Sequence, residues 1–199
     1  NSGGELYLKE NKSAGDRPYK VAIGDVNNDG RGDVVVINYS YGGNDIGVFI
    51  QDEKGDLKDR VGYTYSSSGY PLDVAIGDLN NDGREDVVVV GNDNNFKVLL
   101  QQTDGSLDDT GTPYSGGYYG IGIGDLNGDG RNDVVVSDYT NDRILVYWQK
   151  ADGSLDKMRP YPAGDYPYGI AIGNVDGDTN NIRDVVVANY NSDNIMVYR

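Results

Sequence analysis

The sequence "VAIGDLNNDGREDVVV" occupies residues 74–89, and three close copies of it recur along the chain. They are "VAIGDVNNDGRGDVVV" at 21–36, "IGIGDLNGDGRNDVVV" at 121–136 and "IAIGNVDGDTNNIRDVVV" at 170–187. Their first acidic or amide positions, 25, 78, 125 and 174, are 53, 47 and 49 residues apart. A period of about 50 residues is the length of one four-stranded β-propeller blade.

Each repeat reads as four short strands. The first strand ends in "IG" and leads into an acidic loop, and the second is the β-branched run "DVVV". A short, continuously apolar run is typical of a strand buried on both faces, as between stacked blades. A third strand such as "FKVLLQQ" is followed by a glycine turn, for example "DGSL" at 104–107, and by the fourth strand.

The sequence therefore predicts an all-β protein, a β-propeller of four blades with four antiparallel strands each. One domain spans 1–199, with repeat units at about 10–62, 63–111, 112–159, and 160–199 together with 1–9. Residues 3–9, "GGELYLK", resemble a fourth strand, which the last repeat lacks. We expect this N-terminal strand to complete the last blade and close the ring, which removes exposed sheet edges. The alternative is a dimeric eight-bladed ring.

The acidic loops of the first three repeats share the spacing D-x-N-x-D-G-R-x-D. Side-chain oxygens at positions 1, 3, 5 and 9, with the backbone carbonyl of position 7, form an all-oxygen ligand set suited to Ca²⁺. Glycine at position 6 allows the chain to turn sharply. Asp, Asn and Gly are also ordinary turn residues, but three near-identical copies favour calcium. The predicted ligands are Asp25, Asn27, Asp29, Arg31 and Asp33; Asp78, Asn80, Asp82, Arg84 and Asp86; and Asp125, Asn127, Asp129, Arg131 and Asp133.

The fourth loop departs from this spacing but is predicted to hold a fourth calcium ion. It begins with Asn rather than Asp, lacks the glycine at position 6 and reaches its last Asp two residues late. The carbonyl ligand would come from Asn180 or Ile182. The predicted side-chain ligands are Asn174, Asp176, Asp178 and Asp184.

The composition narrows the classes of function. The chain has no Cys and no His, a formal net charge of -15 and a pI near 4.2. Disulfides, thiolate metal sites and histidine catalysis are therefore excluded. The negative charge argues against nucleic acid as a partner, and no run of 18 apolar residues predicts membrane insertion. Because metals can replace disulfides as staples, a secreted, extracellular protein is expected.

At this point the repeats resemble FG-GAP/VCBS repeats, the blades of integrin-α-like, calcium-binding β-propellers. The resemblance rests on "YPLDVAIGDLNNDGREDVVVVGNDNNFKVLLQQTDGSL" (70–107) and "DVVVANYNSDNIMVY" (184–198). It implies the propeller fold and calcium in the loops. Such repeats occur in adhesins, in lectins and beside secreted hydrolases and lyases, so the role stays open. Most relatives have about seven blades, and the ring size stays open too.

Tyrosine and asparagine crowd the loops at the end of the strands opposite the acidic loops. Exposed Tyr clusters often mark recognition sites, because a flat apolar ring carries a polar tip. The alternative is that these rings fill gaps between blades. We call the predicted ligand-binding set the tyrosine face: Tyr19, Tyr39, Tyr70, Tyr119, Tyr139, Tyr168 and Tyr190.

These features favour a non-catalytic recognition module for a glycan or a cell-surface protein, either lectin-like or adhesive. Near-identical repeats offer no unique catalytic constellation, so an enzyme is not expected. Two alternatives remain: a self-assembling structural or filament subunit, with homo-oligomers formed by strand exchange, and a polysaccharide-lyase-type enzyme that uses Tyr or Arg with calcium.

Overall fold

The computed structural model describes residues 8–40, 45–66, 68–109, 111, 113–156, 158–177, 179 and 182–199. Within these ranges the regular structure is entirely β, and no helix is long and apolar enough to cross a membrane. The strands are β1 Pro18–Gly24, β2 Asp33–Asn38, β3 Ile46–Phe49, β4 Val61–Tyr63, β5 Pro71–Gly77, β6 Asp86–Gly91, β7 Asn95–Gln101, β8 Leu107–Asp108, β9 Tyr114–Ser115, β10 Ile121–Gly124, β11 Asp133–Asp138, β12 Arg143–Tyr147, β13 Arg159–Pro162, β14 Pro167–Gly173, β15 Asp184–Asn189 and β16 Asn194–Tyr198.

The strands form four antiparallel sheets in chain order, which are the four blades of a β-propeller. Blade 1 has the order β1-β2-β3-β4, and blade 3 has β10-β11-β12-β13. Blade 2 is β5-β6-β7-β8, with β9 pairing the other half of β7. Blade 4 is β14-β15-β16 among the described strands. The predicted all-β, four-bladed architecture is confirmed.

The second strands lie in the core, as their apolar runs predict. Every residue of β6 and of β11 is buried. Alternate side chains of these strands point to the two neighbouring blades. Val87 and Val89 pack toward Val35 of blade 1, whereas Val88 and Val90 pack toward blade 3. One apolar layer therefore fills each junction between consecutive blades.

The inner strands show where the ring is packed and where it is not. Strand β1 packs against β5, β5 against β10, and β10 against β14, whereas β14 and β1 share no comparable packing among the described strands. Most of the predicted strand 3–9 lies outside the described residues. Of its last two residues, Leu8 is 83% exposed, and the Lys9 ammonium contacts Gly55 of blade 1 rather than blade 4.

Asp45, at the start of β3, is a carboxylate buried in the first blade. It is 0% exposed and accepts a hydrogen bond from the backbone N–H of Tyr65 at 2.6 Å. Burial raises its pKa, against the backbone hydrogen bonds and the charges of Lys97 and Arg60, which lower it. A folded pKa above the unfolded value of about 3.9 means that ionisation of this group disfavours the folded state.

We expect the substitution Asp45→Asn to remove this dependence on pH. The folded protein binds the proton more tightly than the unfolded chain, so stability falls as pH rises through the window between the two pKa values. The melting temperature of D45N relative to the original chain should therefore increase from about pH 4 to about pH 7. Thermal melts across this range test it; an offset that is constant with pH would contradict it.

Candidate functional site

The acidic loops of the first three blades, between the first and second strands, share one backbone conformation at positions 4 and 6. Position 6 has a positive φ in the first three loops: 82° at Gly30, 82° at Gly83 and 81° at Gly130. Position 4 is also left-handed, with φ of 60° at Asn28 and 79° at Gly128. Asn and Gly tolerate this region best. The sequence prediction identified the position-6 requirement and missed the one at position 4.

Side chains at positions 1, 3 and 5 turn inward and bind the amides of their own loop. In the first loop, the backbone N–H of Asp29 lies 3.0 Å from an oxygen of Asp25 and 3.0 Å from Asn27 Oδ1. The N–H of Gly30 donates to the other Asp25 oxygen at 2.7 Å. The second loop repeats all three contacts. The third loop repeats two of them, and there Asp125 Oδ1 accepts from the N–H of Gly128 at 2.7 Å. Oxygens of positions 1 and 3 are thus gathered around one turn.

The arginine at position 7 connects each of the first three loops to the last residue of the third strand or to the segment just after it. In the first loop, the Arg31 guanidinium pairs with the Asp29 carboxylate and donates through Nε to the carbonyl of Gln51 at 3.2 Å. Arg84 and Arg131 make the equivalent contacts. Sequence reasoning assigned these arginines a carbonyl ligand, and it missed the ion pair made by their side chains.

The aspartate at position 9 bridges two strands through buried hydrogen bonds. Asp86 is 0% exposed and accepts from the N–H groups of Leu79 and Gln101, both at 2.8 Å. Asp33, Asp133 and Asp184 are buried too, and each accepts the N–H at position 2 of its loop. Asp33 also closes an "RGD" tripeptide, and its burial keeps that carboxylate from any adhesive contact.

The position-9 carboxylates are electrostatically disfavoured as anions. Burial, opposed by backbone hydrogen bonds and assisted by the neighbouring loop carboxylates, raises the pKa of Asp86 to about 6 and that of Asp133 to about 6. For Asp86 those neighbours are Asp82 and Asp78. A cation placed among these groups would offset the repulsion.

The donor set suits a calcium ion in chemistry, because every candidate ligand is an oxygen. In the described residues, however, no group of three or more His, Cys, Asp or Glu side chains is arranged to hold a metal ion. The position-5 carboxylates would have to turn from their arginines for an ion to be ligated. In the fourth loop, Asn174 Oδ1 accepts the N–H of Gly177 at 2.7 Å. Asp178 and Asn180 lie outside the described residues.

The structure brings all seven residues of the tyrosine face together, at the end of the strands opposite the acidic loops. The ring centroids of Tyr19 and Tyr39 are 5.6 Å apart, and those of Tyr39 and Tyr70 are 4.1 Å apart. The hydroxyls of Tyr39 and Tyr70 are hydrogen-bonded at 2.8 Å. These rings join blades 1 and 2 at the surface.

The remaining four tyrosines of the face join blades 3 and 4. Tyr119 stacks on Tyr168 with centroids 4.1 Å apart and meets Tyr139 edge-on at 5.1 Å. Tyr168 also contacts Tyr190 at 6.3 Å. The nearby Tyr19 hydroxyl interacts electrostatically with Tyr168, which connects Tyr168 to the other half of the face.

β-Bulges place two of these side chains. The register of β1 with β2 skips from Pro18 to Lys20, and that of β14 with β15 skips from Pro167 to Gly169. Tyr19 and Tyr168 are thus the unpaired residues, and bulges commonly re-aim a side chain in this way. Burial, followed by the nearby Tyr19 and Tyr119 hydroxyls, raises the pKa of Tyr168 to about 12, so its ring stays neutral.

A cleft of about 230 Å³ opens on the tyrosine face, beside an exposed amide. Its lining is Tyr139, Tyr166, Tyr168, Tyr190 and Asn191. The volume is below the range for drug-sized ligands and suits a single small ring. Tyr166 was missing from the predicted ligand set, although its place in the same loop as Tyr168 could have indicated it.

Other tyrosines and asparagines have structural roles. Tyr65 and Tyr147 are buried in the junctions between blades. For these two residues, the alternative that tyrosine rings fill gaps between blades holds. Asn38 and Asn189 are buried as well and donate to the carbonyl of Ala14 and to Asn194. These two amides therefore hold their loops in place and do not contribute to a binding surface.

Fold and sites together define a β-propeller built from repeated blades with an acidic loop after each inner strand. The sequence profile described as "FG-GAP-like repeat" matches three overlapping segments, 25–89, 78–136 and 125–181. The chain belongs to the FG-GAP-like repeat family, as the repeats predicted. No curated protein matches the chain.

Two solved structures share this fold at low sequence identity, and a third shows a weaker likeness. A functionally unknown protein from Desulfotomaculum acetoxidans is 17% identical with a TM-score of 0.54, over 79% of this chain and 45% of that one. BBS1N, solved in complex with ARL6DN, is 14% identical with a TM-score of 0.54, over 88% and 54%. The V. cholerae biofilm matrix protein Bap1 is 22% identical with a TM-score of 0.47, over 86% and 23%. The chain spans about half the length of the first two.

Proposed function

We propose that this protein is a calcium-stabilised recognition module that binds carbohydrate through the tyrosine face. The observation that carries the proposal is the continuous network of seven tyrosines on one end of the propeller. Tyr168 and Tyr190 of this network are 43% and 74% exposed. Large exposed rings cost free energy in water and are concentrated where proteins bind partners.

Carbohydrate is the ligand class that best matches the chemistry of this face. Sugar rings present apolar C–H faces and a rim of hydroxyls, which suit aromatic rings flanked by amides and phenolic hydroxyls. Neutral tyrosines also carry no charge that an uncharged sugar must desolvate. Repeated tyrosines on several blades offer several weak contacts, and affinity for a polymer would then rise by avidity.

Calcium has a structural role in this proposal. The acidic loops and the tyrosine face lie at opposite ends of antiparallel strands, so an ion in a loop does not reach the ligand. The loops contain few carboxylates each, and oxygen sites of this kind in extracellular proteins bind Ca²⁺ with Kd of about 10⁻⁴–10⁻³ M. A Kd in that range matches the millimolar calcium concentration outside the cell, which would keep the loops ordered.

We expect Tyr168→Ala to weaken glycan binding by about tenfold or more, because the exposed ring offers a stacking surface and also holds Tyr119 in place. A glycan array probed with labelled protein in calcium identifies the ligand, and titration of the best glycan measures the loss. The matched control is Tyr161→Ala, which removes a 37% exposed ring from the outer strand β13. Equal losses in both variants, or no glycan bound at all by the folded protein, would contradict the proposal.

A further inference from the structure

The cleft on the tyrosine face lies between blades 3 and 4, and four of its five lining residues are tyrosines. These tyrosines form two ring pairs. The rings of Tyr139 and Tyr166 stack, with centroids 5.1 Å apart and planes 27° apart. Those of Tyr168 and Tyr190 lie 6.3 Å apart at 42°. The cleft therefore presents four aromatic rings and the amide of Asn191 to whatever enters it.

This set of four rings is not a general product of the repeat. The equivalent positions between blades 1 and 2 hold two tyrosines, a leucine and an asparagine, namely Tyr39, Tyr70, Leu72 and Asn92. There the two rings close on each other, with centroids 4.1 Å apart and hydroxyls hydrogen-bonded at 2.8 Å. The tyrosine-lined cleft is thus a particular feature of the junction between blades 3 and 4.

Hydrogen bonds hold together the three loops that carry the four rings. The Asp142 carboxylate of blade 3 accepts the N–H of Tyr166 at 3.0 Å. On the other side, the carbonyl of Tyr166 accepts the N–H of Tyr190 at 2.9 Å, and the N–H of Asp165 donates to Ser192 Oγ at 2.7 Å. A site whose walls are already fixed loses little freedom when a ligand binds, which favours affinity.

The loops around the cleft are acidic. Segments 139–142, 163–168 and 190–193 contain three aspartates and no lysine or arginine. Arg143, which follows the first segment, is paired through Nε with the buried carboxylate of Asp138 at 2.7 Å. The three aspartates are exposed, and they are Asp142, Asp165 and Asp193. The charge around the cleft therefore attracts a cation and repels an anion.

Aromatic rings surrounded by carboxylates are suited to an ammonium group, because a cation is attracted to the face of a tyrosine ring. We propose that the sugar unit held in this cleft carries a protonated amino group, so that the glycan bound by the tyrosine face is an amino-sugar polymer with free amines. This inference rests on the proposed carbohydrate function and narrows it to a cationic ligand. Uronic-acid and sulfated polymers are rejected by the same aspartates.

Two oligosaccharides with the same backbone test the proposal: a linear trimer of glucosamine, and that trimer with every amine acetylated. Both are titrated into the protein by calorimetry, in calcium and in buffer acidic enough to protonate the free amines. We expect the Kd of the free-amine trimer to be about tenfold lower than that of the acetylated trimer. Because linkage and ring are unchanged, the ratio of the two Kd values measures the preference for the ammonium group.

The outcomes separate this inference from the proposed function. Equal Kd values, or tighter binding of the acetylated trimer, would overturn the preference for an amine and leave carbohydrate recognition standing. If neither trimer binds, the preference is overturned as well, and the glycan array then decides the proposed function by itself.

The substitution Tyr139→Leu tests whether the rings supply the contact. Leucine keeps an apolar side chain but removes one aromatic ring, so the two Kd values should come to within about twofold of each other. The matched control is Tyr161→Leu, which alters a 37% exposed tyrosine of the outer strand β13 and should leave the preference unchanged. A preference that survives Tyr139→Leu would show that the rings do not bind the cation, and the proposal would be wrong.

Charge variants locate the electrostatic part, since a protein of net charge -15 attracts any cation. Asp165→Asn combined with Asp193→Asn should weaken binding of the free-amine trimer by about threefold or more and leave the acetylated trimer unaffected. The matched control, Asp104→Asn combined with Asp152→Asn, removes two exposed carboxylates from the glycine turns beside the acidic loops. Equal losses in both double variants would assign the attraction to overall charge and overturn the proposal.

Discussion

Calcium removal is expected to lower the melting temperature of this protein by about 15–30 °C. In about 10 mM calcium, which is about 100 times a Kd of about 10⁻⁴ M, an ion stabilises the folded state by about 2.7 kcal/mol per site. Three occupied loops would therefore contribute about 8 kcal/mol, and each kcal/mol moves the melting temperature of a domain this size by about 2–4 °C. Differential scanning calorimetry in calcium and in chelator measures the difference.

The physical reason lies in the crowding of carboxylates within each loop. Positions 1, 5 and 9 of the second loop are Asp78, Asp82 and Asp86, and only one guanidinium, that of Arg84, pairs within the loop. The first two carboxylates raise the pKa of the third. An ion of charge two would convert this mutual repulsion into attraction and pin the turn.

The substitution Asp82→Ala distinguishes the stability that the ion contributes from the stability that the loop's own contacts contribute. In chelator this variant loses an ion pair with Arg84 whose side chains are about a quarter exposed, so the cost should be below about 1 kcal/mol. In calcium the variant should also lose the stabilisation that one bound ion supplies, about 2.7 kcal/mol. Asp152→Ala, an exposed turn aspartate outside the loops, is the matched control. If the original chain has the same melting temperature in calcium and in chelator, the proposal that calcium stabilises the protein is wrong.

The four-bladed architecture could be predicted because its signals are local in sequence. The repeat period, the β-branched second strands and the glycine turns each lie within a few residues of one another. The left-handed residue at position 4 was missed, since Asn and Gly at that site also suit an ordinary turn. The tyrosine face was predicted from strand direction alone, because antiparallel strands alternate the ends at which their loops lie.

Features that depend on contacts between distant residues could not be predicted. Tyr65 is buried and Tyr70 lies on the tyrosine face, although both belong to the same connecting segment. The packing between blades depends on the angle by which each blade is rotated from the previous one. That angle is set by contacts such as Ile76 on Gly24, 52 residues apart in the sequence.

The bridging role of the position-9 aspartates was missed for the same reason. The loop spacing indicates a ligand at this position, but one hydrogen-bond donor of Asp86 is Gln101, 15 residues away at the end of β7. Both carboxylate oxygens are bonded to the backbone. The residue therefore holds the loop to the sheet through the protein's own hydrogen bonds.

We expect Asp86→Ala to destabilise the protein by about 3–5 kcal/mol even in chelator. The substitution leaves the N–H groups of Leu79 and Gln101 unpaired in a site that is 0% exposed, and each hydrogen bond to a charged acceptor is worth about 1.5–3 kcal/mol. Relief of the buried charge, whose pKa is raised to about 6, offsets part of this cost. Urea unfolding in chelator at neutral pH measures the loss.

Asp86→Asn distinguishes the bridge from the ion. The asparagine oxygen can accept one backbone N–H, while its amide nitrogen places a donor against the other. We therefore expect the free energy of unfolding of Asp86→Asn to lie between that of the original chain and that of Asp86→Ala. Asp104→Ala, which changes an exposed turn aspartate, should stay within about 0.5 kcal/mol. If Asp86→Ala destabilises the protein only when calcium is present, the carboxylate acts through the ion, and the two backbone hydrogen bonds contribute little to stability.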